Sequence, residues 1–330
     1  MIVPHGRTPG AWAEIPSIGP PPPAPGPRPF WSVMIPTYES GEFLEATLCH
    51  LLAQDPGPEH MHIEVVDDGS TRSDPAAVVE RVGHGRIGFF RQPANVGAPR
   101  NFNTCVERAV GSWVHILHGD DIVLPSFYTS YRDHIESHPC SMAVAQSFAI
   151  DDADEYVGVS PRLPHADGYL LHPPEVIAVH HPLHTVSVVA RREAYEQVGG
   201  FRPGLVHAND WDMWTRLARC GPVGCVPGAH AGYRNHPESD SRRLQRSMVY
   251  VTDPLDALEV LAAQFEDPRI VSQLRVGARR RLSEQALGVA REAASRRARR
   301  DAVRNAWWGW RLHPTLETSA TFASILASTA

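Results

Sequence analysis

The sequence predicts an α/β domain with a mostly parallel central sheet, followed by a helical C-terminal region. From residue 30 onward, short apolar runs alternate with helical stretches, and polar, Gly or Pro turns separate them. This alternation is typical of βαβ units, which build parallel sheets. Beyond residue 243 the apolar runs give way to longer helical patterns. A chain of 330 residues is long enough to bury the core of such a domain and still carry a smaller appendage.

The elements are predicted in a regular order. The alternating part contains strands at 31–36, 62–67, 87–91 and 113–117 and helices at 42–54, 75–82, 99–109 and 126–137. Two further strands, at 142–150 and 184–190, flank a stretch rich in Pro, His and Gly, 151–182. We expect that stretch to be a surface loop and a candidate substrate-contacting segment. The C-terminal part should form helices over 244–265 and 268–311, the second of them locally basic.

These patterns divide the chain into three parts. Residues 1–29 are proline-rich toward their end and predict a flexible tail, with the folded part starting at Phe30. A catalytic domain is expected over 30–243, with one half at 30–121 and the other at 122–243. The helical region then covers 244–330.

Composition excludes several function classes. All 31 basic residues are arginine, so lysine-dependent Schiff-base enzymes and P-loop NTPases are excluded. The net charge of −6 argues against nucleic acid as a partner. The five cysteines form no C-x-x-C pair, and no apolar run approaches the roughly 20 residues that span a bilayer. A cytoplasmic protein is the expectation.

Two pairs of carboxylates follow apolar strands. Asp67 and Asp68 end the second strand, and Asp120 and Asp121 follow the fourth. Adjacent like charges are costly unless hydrogen-bond donors or a cation answer them, and Mg²⁺ and Mn²⁺ prefer oxygen ligands. Because ligands of such sheets bind beyond the carboxyl ends of the strands, the pairs predict nucleotide recognition and a metal site on one edge. A plain Asx turn would explain one Asp of the first pair.

Two other segments, taken alone, are weaker evidence for a functional site. Residues 36–39 form a Pro-Thr turn after the first strand, which is a common structure. Asp210 falls at a predicted helix start, where an ordinary N-terminal cap explains it equally well.

The ordered set of motifs resembles glycosyltransferase family 2, inverting enzymes of the GT-A fold. The set is VMIPTY, VVDDGST, NVGAPRN, a strand ending in DD, NDWDMWTRL and YRNHPESDS, and it covers about two-thirds of the chain. The resemblance implies a GT-A domain, Rossmann-like and with helices flanking the sheet. It also implies a nucleotide diphosphate sugar donor of the UDP or dTDP type, a divalent metal (Mn²⁺ or Mg²⁺) and a small-molecule or glycan acceptor.

The resemblance also implies roles for individual residues. Asp210 would be the general base, Asp121 and His236 would bind the metal, and Asn209 and Trp211 would contact the acceptor. The implied nucleotide-sugar contacts are Pro36, Thr37, Tyr38, Glu39, Asp68, Asn95, Gly97, Arg100, Asn101 and Asp120. Among these, Asp68 would accept from the base N–H, Asp120 would contact the ribose, and Arg100 would neutralise charge on the leaving diphosphate.

The sequence departs from the family at two positions. His118 stands where the family commonly has Asp, and Asn209 stands where it has Glu. The first departure weakens a strict D-x-D metal motif, and the second changes the electrostatics beside Asp210.

Two alternative functions and two surface contacts stay open at this point. A sugar-phosphate nucleotidyltransferase would also join a nucleotide to a metal, but its Gly-rich basic loop is missing after the first strand. A non-catalytic nucleotide-sugar-binding protein would have no need of Asp210. The Arg-rich C-terminal helices, with Trp307, Trp308 and Trp310, could form a homodimer or contact a membrane peripherally, although a packed appendage is favoured.

Overall fold

The computed structural model describes residues 14–23 and 26–329 of the chain. Within this part, the strands are β1 (Trp31–Thr37), β2 (Met61–Asp67), β3 (Gly88–Arg91), β4 (Trp113–Ile116), β5 (Ile122–Val123), β6 (Met142–Ile150), β7 (Tyr156–Val159), β8 (His165–Ala166), β9 (Tyr169–Leu170), β10 (Val188–Arg191) and β11 (Val223–Arg234). The helices of the catalytic part are α1 (Gly41–Leu52), α2 (Pro75–Gly83), α3 (Ala98–Arg108), α4 (Phe127–Ser137), α5 (Pro173–His180), α6 (Arg192–Val198) and α7 (Asn209–Leu217). The C-terminal helices are α8 (Asp240–Arg246), α9 (Val249–Ala262), α10 (Pro268–Ser295), α11 (Arg299–Leu312) and α12 (Leu316–Thr329).

One mixed sheet organises the catalytic domain, in the order β3-β2-β1-β4-β10-β6-β11-β9-β8. The first four strands are mutually parallel, β10 runs antiparallel to β4 and β6, and β6 is parallel to β11. This arrangement confirms the predicted α/β class and the GT-A type of sheet. Because β1, β2 and β4 are parallel neighbours, the polar segments that follow them meet at one edge of the sheet.

Helices cover both faces of the sheet, which explains why β1 is apolar at nearly every position. Val33 and Ile35 of β1 pack on one side with Leu44 and Leu48 of α1. Met34 points to the other side, into the cluster that includes Phe102 of α3. A strand buried on both faces reads as a continuous apolar run instead of an alternating one.

The prediction of a surface loop over 151–182 is wrong for half of this stretch, which forms strands and a helix. Strands β7, β8 and β9 lie within it, and α5 follows with Pro at its first positions, where the missing N–H has no cost. Ile177 and Ala178 of α5 are fully buried. The predicted strand at 184–190 begins instead with a 3-10 turn over Thr185–Ser187.

The predicted C-terminal helices are each broken once. Met248, with φ 63°, separates α8 from α9, and Arg297, with φ 60°, lies between α10 and α11. The hydroxyl of Ser239 caps α8 by accepting from the Arg242 N–H. None of the helices among the described residues combines the length and apolar character that a bilayer crossing requires.

The folded part starts earlier than Phe30, which corrects the predicted boundary. Ile18 is only 5% exposed and belongs to the core cluster around α3. The Pro16 carbonyl accepts from the Gly200 N–H, and the Gly19 carbonyl accepts from Arg192. The proline content of this segment predicts a flexible tail, but burial of the Ile18 side chain fixes part of the segment to the domain. The rest of the predicted tail, 1–13 and 24–25, lies outside the described residues.

Candidate active site

A cleft of about 1270 Å³ opens at the carboxyl ends of β1 and β4. Its walls are the segments after these strands, the start of α7, the end of β11, and helices α8 and α10. Several sequence-predicted residues line it: Pro36, Thr37, Tyr38, Glu39, Asp68, Asn101, Asp120, Asn209, Asp210, Trp211 and His236. Asn95, Gly97, Arg100 and Asp121 are outside this lining. The strand ends therefore bring most, but not all, of the predicted residues together.

The two carboxylates after β2 have different hydrogen-bond and ion-pair partners. Asp67 is buried, accepts from the Ser70 hydroxyl at 2.6 Å and pairs with Arg91 at 2.6 Å. Asp68 accepts from the N–H groups of Val96 and Gly97, at 2.8 and 3.0 Å. Burial raises the pKa of Asp68. Asp68 thus shapes the entry to α3 while one side of it faces the cleft.

Glu39 has a structural task in addition to lining the cleft. Its carboxylate accepts from the N–H groups of Thr71, Arg72 and Ser73 at 2.9 to 3.2 Å. The backbone of Glu39 is left-handed, with φ 56°, which turns its side chain back toward this loop. Glu39 therefore fixes the loop after β2 against the end of β1.

The second carboxylate pair is split between the cleft and the core. Asp120 lines the cleft, with Oδ2 3.1 Å from Nε2 of His236. Asp121 is 1% exposed, and its Oδ1 accepts from the Arg234 N–H at 2.9 Å. Burial and the neighbouring Asp120 raise the pKa of Asp121 well above its usual value. Burial opposes ionisation of Asp120 too, but the hydrogen bond to His236 lowers its pKa. The pKa values of the two neighbouring carboxyls are therefore shifted in opposite directions.

These residues fit a divalent cation. Ligand atoms of His118, Asp120 and Asp121 lie within 4.8 Å of one another. Among the described residues, Oδ2 of Asp121 and Nε2 of His118 are buried and have no hydrogen-bond partner, so both have capacity for a ligand. Carboxylate oxygens combined with imidazole nitrogen suit Mn²⁺ better than Mg²⁺, which prefers oxygen alone.

Asp210 lies in the first turn of α7 and faces the same cleft. Its Oδ2 is 3.8 Å from Nε2 of His181. Burial outweighs the charge of Asp210 and lowers the pKa of His181 to about 4, so this imidazole is neutral at pH 7. Asp210 therefore has a polar but uncharged neighbour, in addition to Asn209.

The residues beside Asp210 are anchored from behind. The indole N–H of Trp211 donates to the Ala178 carbonyl at 2.9 Å, and the Asn209 side chain donates to the Val206 carbonyl at 2.8 Å. Both side chains are nearly buried. They form the back wall of the cleft, with only small surfaces available to an acceptor.

A buried carboxylate of the C-terminal region holds the segment that leads into α7. Asp253 of α9 accepts from the N–H groups of Val206, His207 and Ala208, at 3.0, 2.8 and 2.9 Å. Its side chain is fully buried. Since these three amides directly precede Asn209 and Asp210, α9 determines where the first turn of α7 stands.

Sequence and structure comparisons agree with this geometry. A sequence model described as Glycosyl transferase family 2 matches residues 32–199, more than half of the chain.

The chain belongs to glycosyl transferase family 2.

Similar proteins are known from several bacteria. An uncharacterized protein of Mycobacterium tuberculosis, MT1568, is 28% identical over 265 residues, which cover 76% of this chain and 80% of that protein. An uncharacterized glycosyltransferase of Haemophilus influenzae is 23% identical over 224 residues, or 64% of this chain and 68% of its own. This family 2 member is therefore a glycosyltransferase enzyme. The match favours glycosyl transfer over the nucleotidyltransferase and non-catalytic alternatives.

Two solved structures share the fold. TarS of Staphylococcus aureus in complex with UDP-GlcNAc superimposes with a TM-score of 0.59 at 14% identity, over 91% of this chain and 80% of that one. The mannosyltransferase PcManGT of Pyrobaculum calidifontis, in complex with GDP-Man and Mn²⁺, gives 0.55 at 15% identity, over 96% and 84%. Both show that this glycosyltransferase has the GT-A fold.

Sequence reasoning missed several groups that line the cleft of this glycosyltransferase. They include His181 and His184, Tyr233 against which the His184 ring stacks, and the arginines of α8. The α8 arginines directly follow the YRNHPESDS motif, so their position in sequence was a usable signal. Nothing local marked Asp253, because an acid within an amphipathic helix normally faces solvent.

Proposed function

We propose that this glycosyltransferase moves a sugar from a UDP- or dTDP-type nucleotide sugar to a small-molecule or glycan acceptor in one inverting displacement. The observation that carries this proposal is the cleft itself. Asp120 and His236 line it at the strand ends, and Asp210 lines it at the start of α7. A donor held beside the first pair would present its anomeric carbon between the pair and Asp210.

The donor class is supported by the residues of the nucleotide side. Tyr38 offers a half-exposed ring after β1, and Asp68 offers a carboxylate after β2. The two GT-A neighbours were solved with UDP-GlcNAc and with GDP-Man, so the shared fold takes nucleotide sugars. We infer that the nucleoside of the donor lies between Tyr38 and Asp68.

The metal would be held chiefly by Asp120, with His118 and His236 as the imidazole donors that line the cleft beside it. This assignment gives Asp120 the role that the family resemblance implied for Asp121, because Asp121 is buried and bonded to the backbone of Arg234. Mn²⁺ fits the mixed oxygen and nitrogen donors better than Mg²⁺. When bound, the cation would neutralise charge on the leaving diphosphate.

Two sets of residues would perform the remaining chemistry. Asp210 accepts the proton of the acceptor hydroxyl or amine as that atom attacks the anomeric carbon, and the bond to the nucleoside diphosphate breaks. Arg242 and Arg243 of α8 line the cleft, and the guanidinium of Arg243 lies 5.9 Å from the Tyr38 ring. They would balance the leaving charge in place of Arg100, which lies outside the cleft lining.

The base is tested by Asp210→Asn. General-base assistance contributes about 10²- to 10⁴-fold, so we expect kcat to fall at least about 100-fold while donor affinity is retained. Steady-state kinetics with a range of nucleotide sugars and acceptors measure both. Asp152→Asn, which removes the same charge from an exposed position in the cleft, is the matched control and should keep kcat. Turnover of Asp210→Asn near the wild-type value contradicts the assignment.

The metal ligands are tested by comparing Asp120→Asn with Asp121→Asn. Titration of UDP with and without Mn²⁺ should show that Asp120→Asn loses the metal-dependent part of the affinity, by about tenfold or more. Asp121→Asn should keep most of that part and mainly lower the melting temperature, because its carboxyl is buried. The opposite ranking would return the primary metal role to Asp121.

The predicted homodimer and the predicted cytoplasmic location stay predictions.

A further inference from the structure

Helix α11 presents an outward face made of arginine and tryptophan. At 100° per residue, seven positions fall within an arc of about 140°. They are Arg299, Arg300, Val303, Arg304, Trp307, Trp310 and Arg311. The opposite side of the helix, Ala302, Asn305, Ala306 and Gly309, is buried against the neighbouring helices. The outward face is therefore a separate surface and does not belong to the core of the helical region.

The indoles on this face are open to solvent to an unusual degree for tryptophan. Trp307 is 37% exposed and Trp310 is 36% exposed. The Arg311 guanidinium lies 5.1 Å from the Trp307 ring, and Trp310 stacks on Phe322 of α12 at 5.9 Å. These contacts hold both rings at the surface, and the indole N–H of Trp310 donates to the Ser319 hydroxyl at 3.1 Å. Tryptophan in this situation is typical of the boundary between water and lipid.

Positive charge is concentrated in the same part of the chain. Residues 268–329 contain twelve arginines and four acidic residues, although the whole chain has a net charge of −6. Asp301 lies outside the arc and pairs with Arg304 at 2.9 Å. Arg299 and Arg300 have no ion pair with any residue in the described part of the chain. Their charges are available to an anionic partner.

We propose that the outward face of α11 docks this protein onto an anionic lipid surface. Arginine forms bidentate hydrogen bonds with phosphate, and each basic residue near such a surface adds to the attraction. Tryptophan inserts its ring at the level of the headgroups. Because arginine and tryptophan are interleaved at helical spacing, the face can contact both the phosphates and the headgroup level of that surface.

A second copy of the chain fits this face less well. The helix has 14 residues, so it is about 21 Å long, and its outward face has seven residues. A stable protein interface takes about 800 Å² and roughly 20 to 30 residues from each partner. A lipid surface has no such requirement, because binding grows with each inserted ring and each neutralised charge.

The face also lies next to the active cleft. A cavity of about 460 Å³ between α8, α10 and α11 is lined by Arg304 of this face. His236, Arg242 and Arg246 line the same cavity and the main cleft. A lipid surface bound by α11 would therefore lie beside a side opening of the cleft. The proposal does not depend on which donor or acceptor the cleft takes.

The test is sedimentation of the full chain with vesicles of phosphatidylcholine alone or mixed with phosphatidylglycerol. We expect binding to the mixed vesicles that weakens with salt. The variant Arg299→Gln/Arg300→Gln/Arg311→Gln should reduce the partition coefficient by roughly tenfold or more. The matched control, Arg28→Gln/Arg81→Gln/Arg162→Gln, removes the same charge from exposed positions outside the helical region and should bind like wild type.

Trp307→Ala tests the apolar part separately. It should weaken vesicle binding also at high salt, with circular dichroism confirming that the helices are intact. The proposal is overturned if the wild type does not bind the mixed vesicles, or if both triple variants lose binding equally. It is also overturned if the arginine variant changes a dimer into a monomer, or abolishes binding to duplex DNA without changing vesicle binding. Either result would assign the face to that other partner.

Discussion

At the scale of single residues, the four aspartates at the strand ends show how burial and partners separate identical side chains. Asp67 is paired with an arginine, Asp68 receives two backbone N–H groups, and Asp120 faces a histidine. Asp121 has one oxygen on a backbone N–H and the other 3.6 Å from Nδ1 of His118. The four carboxylates therefore have different partners, although the sequence presents two similar pairs.

Buried histidine gives the molecule a defined sensitivity to acid. His115 of β4 is fully buried, with Nε2 3.0 Å from the Val186 carbonyl and Nδ1 3.1 Å from the Tyr128 hydroxyl. Nε2 must donate to the carbonyl, so Nδ1 accepts from the tyrosine, and the ring is neutral. Burial lowers the pKa of His115 to about 3.

We expect this group to make the fold less stable as the pH falls. In the unfolded chain His115 takes up a proton below about pH 6.5, whereas in the folded chain it does so only near pH 3. Its contribution is complete above pH 6.5 and is lost between these values, by up to about 1.4 kcal/mol per pH unit. Denaturant unfolding across this range should show a smaller pH slope for His115→Phe than for wild type. Equal slopes would contradict the assignment.

At the scale of elements, the C-terminal helices position part of the active site. Asp253 of α9 holds the three amides before α7, and Trp211 of α7 packs with Leu258 and Leu261 of α9. The Arg281 guanidinium of α10 lies 5.4 Å from the Trp211 ring. The first turn of α7, which carries Asp210, is therefore supported mainly from outside the predicted catalytic domain.

The variant Asp253→Asn tests whether Asp253 positions Asp210 without affecting donor binding. The amide keeps one acceptor oxygen but loses the charge and the second oxygen, so at least one of the three backbone bonds weakens. A small displacement of a catalytic group can cost about 100-fold, and we expect kcat to fall by about 10- to 100-fold with little change in donor KM. Glu259→Gln on the exposed side of α9 is the control. An increase in donor KM at unchanged kcat would indicate a different role.

At the scale of the whole molecule, the N-terminal end of the described chain packs against the central domain. The N-terminal segment crosses the turn at Gly199 and Gly200 and places Ile18 in the core beside α3. A side chain on Gly200 would meet Asn103 and Ile18, so the close approach of this segment requires glycine there. The same turn accepts hydrogen bonds from Arg216 of α7.

We expect the contact of Ile18 with the core to contribute measurably to the free energy of unfolding. Ile18→Ala should lower the free energy of unfolding by about 2 to 4 kcal/mol, since it removes a buried side chain and leaves a cavity. Ile15→Ala, at a 39% exposed position of the same segment, should cost less than about 1 kcal/mol. Chemical denaturation of both variants gives the comparison. Equal small effects would mean that the segment leaves the core in solution.

The sequence by itself determined the α/β class, the order of the first strands and the edge where the cleft forms. These follow from local patterns, because apolar runs, helical periods and paired aspartates at strand ends are all visible within a few residues. The tertiary structure decided which aspartate of the 120–121 pair faces the cleft, that arginines of α8 line the cleft and Arg100 does not, and that Asp253 and Ile18 support distant elements. These facts depend on long-range contacts, and packing between segments far apart in sequence leaves no local pattern.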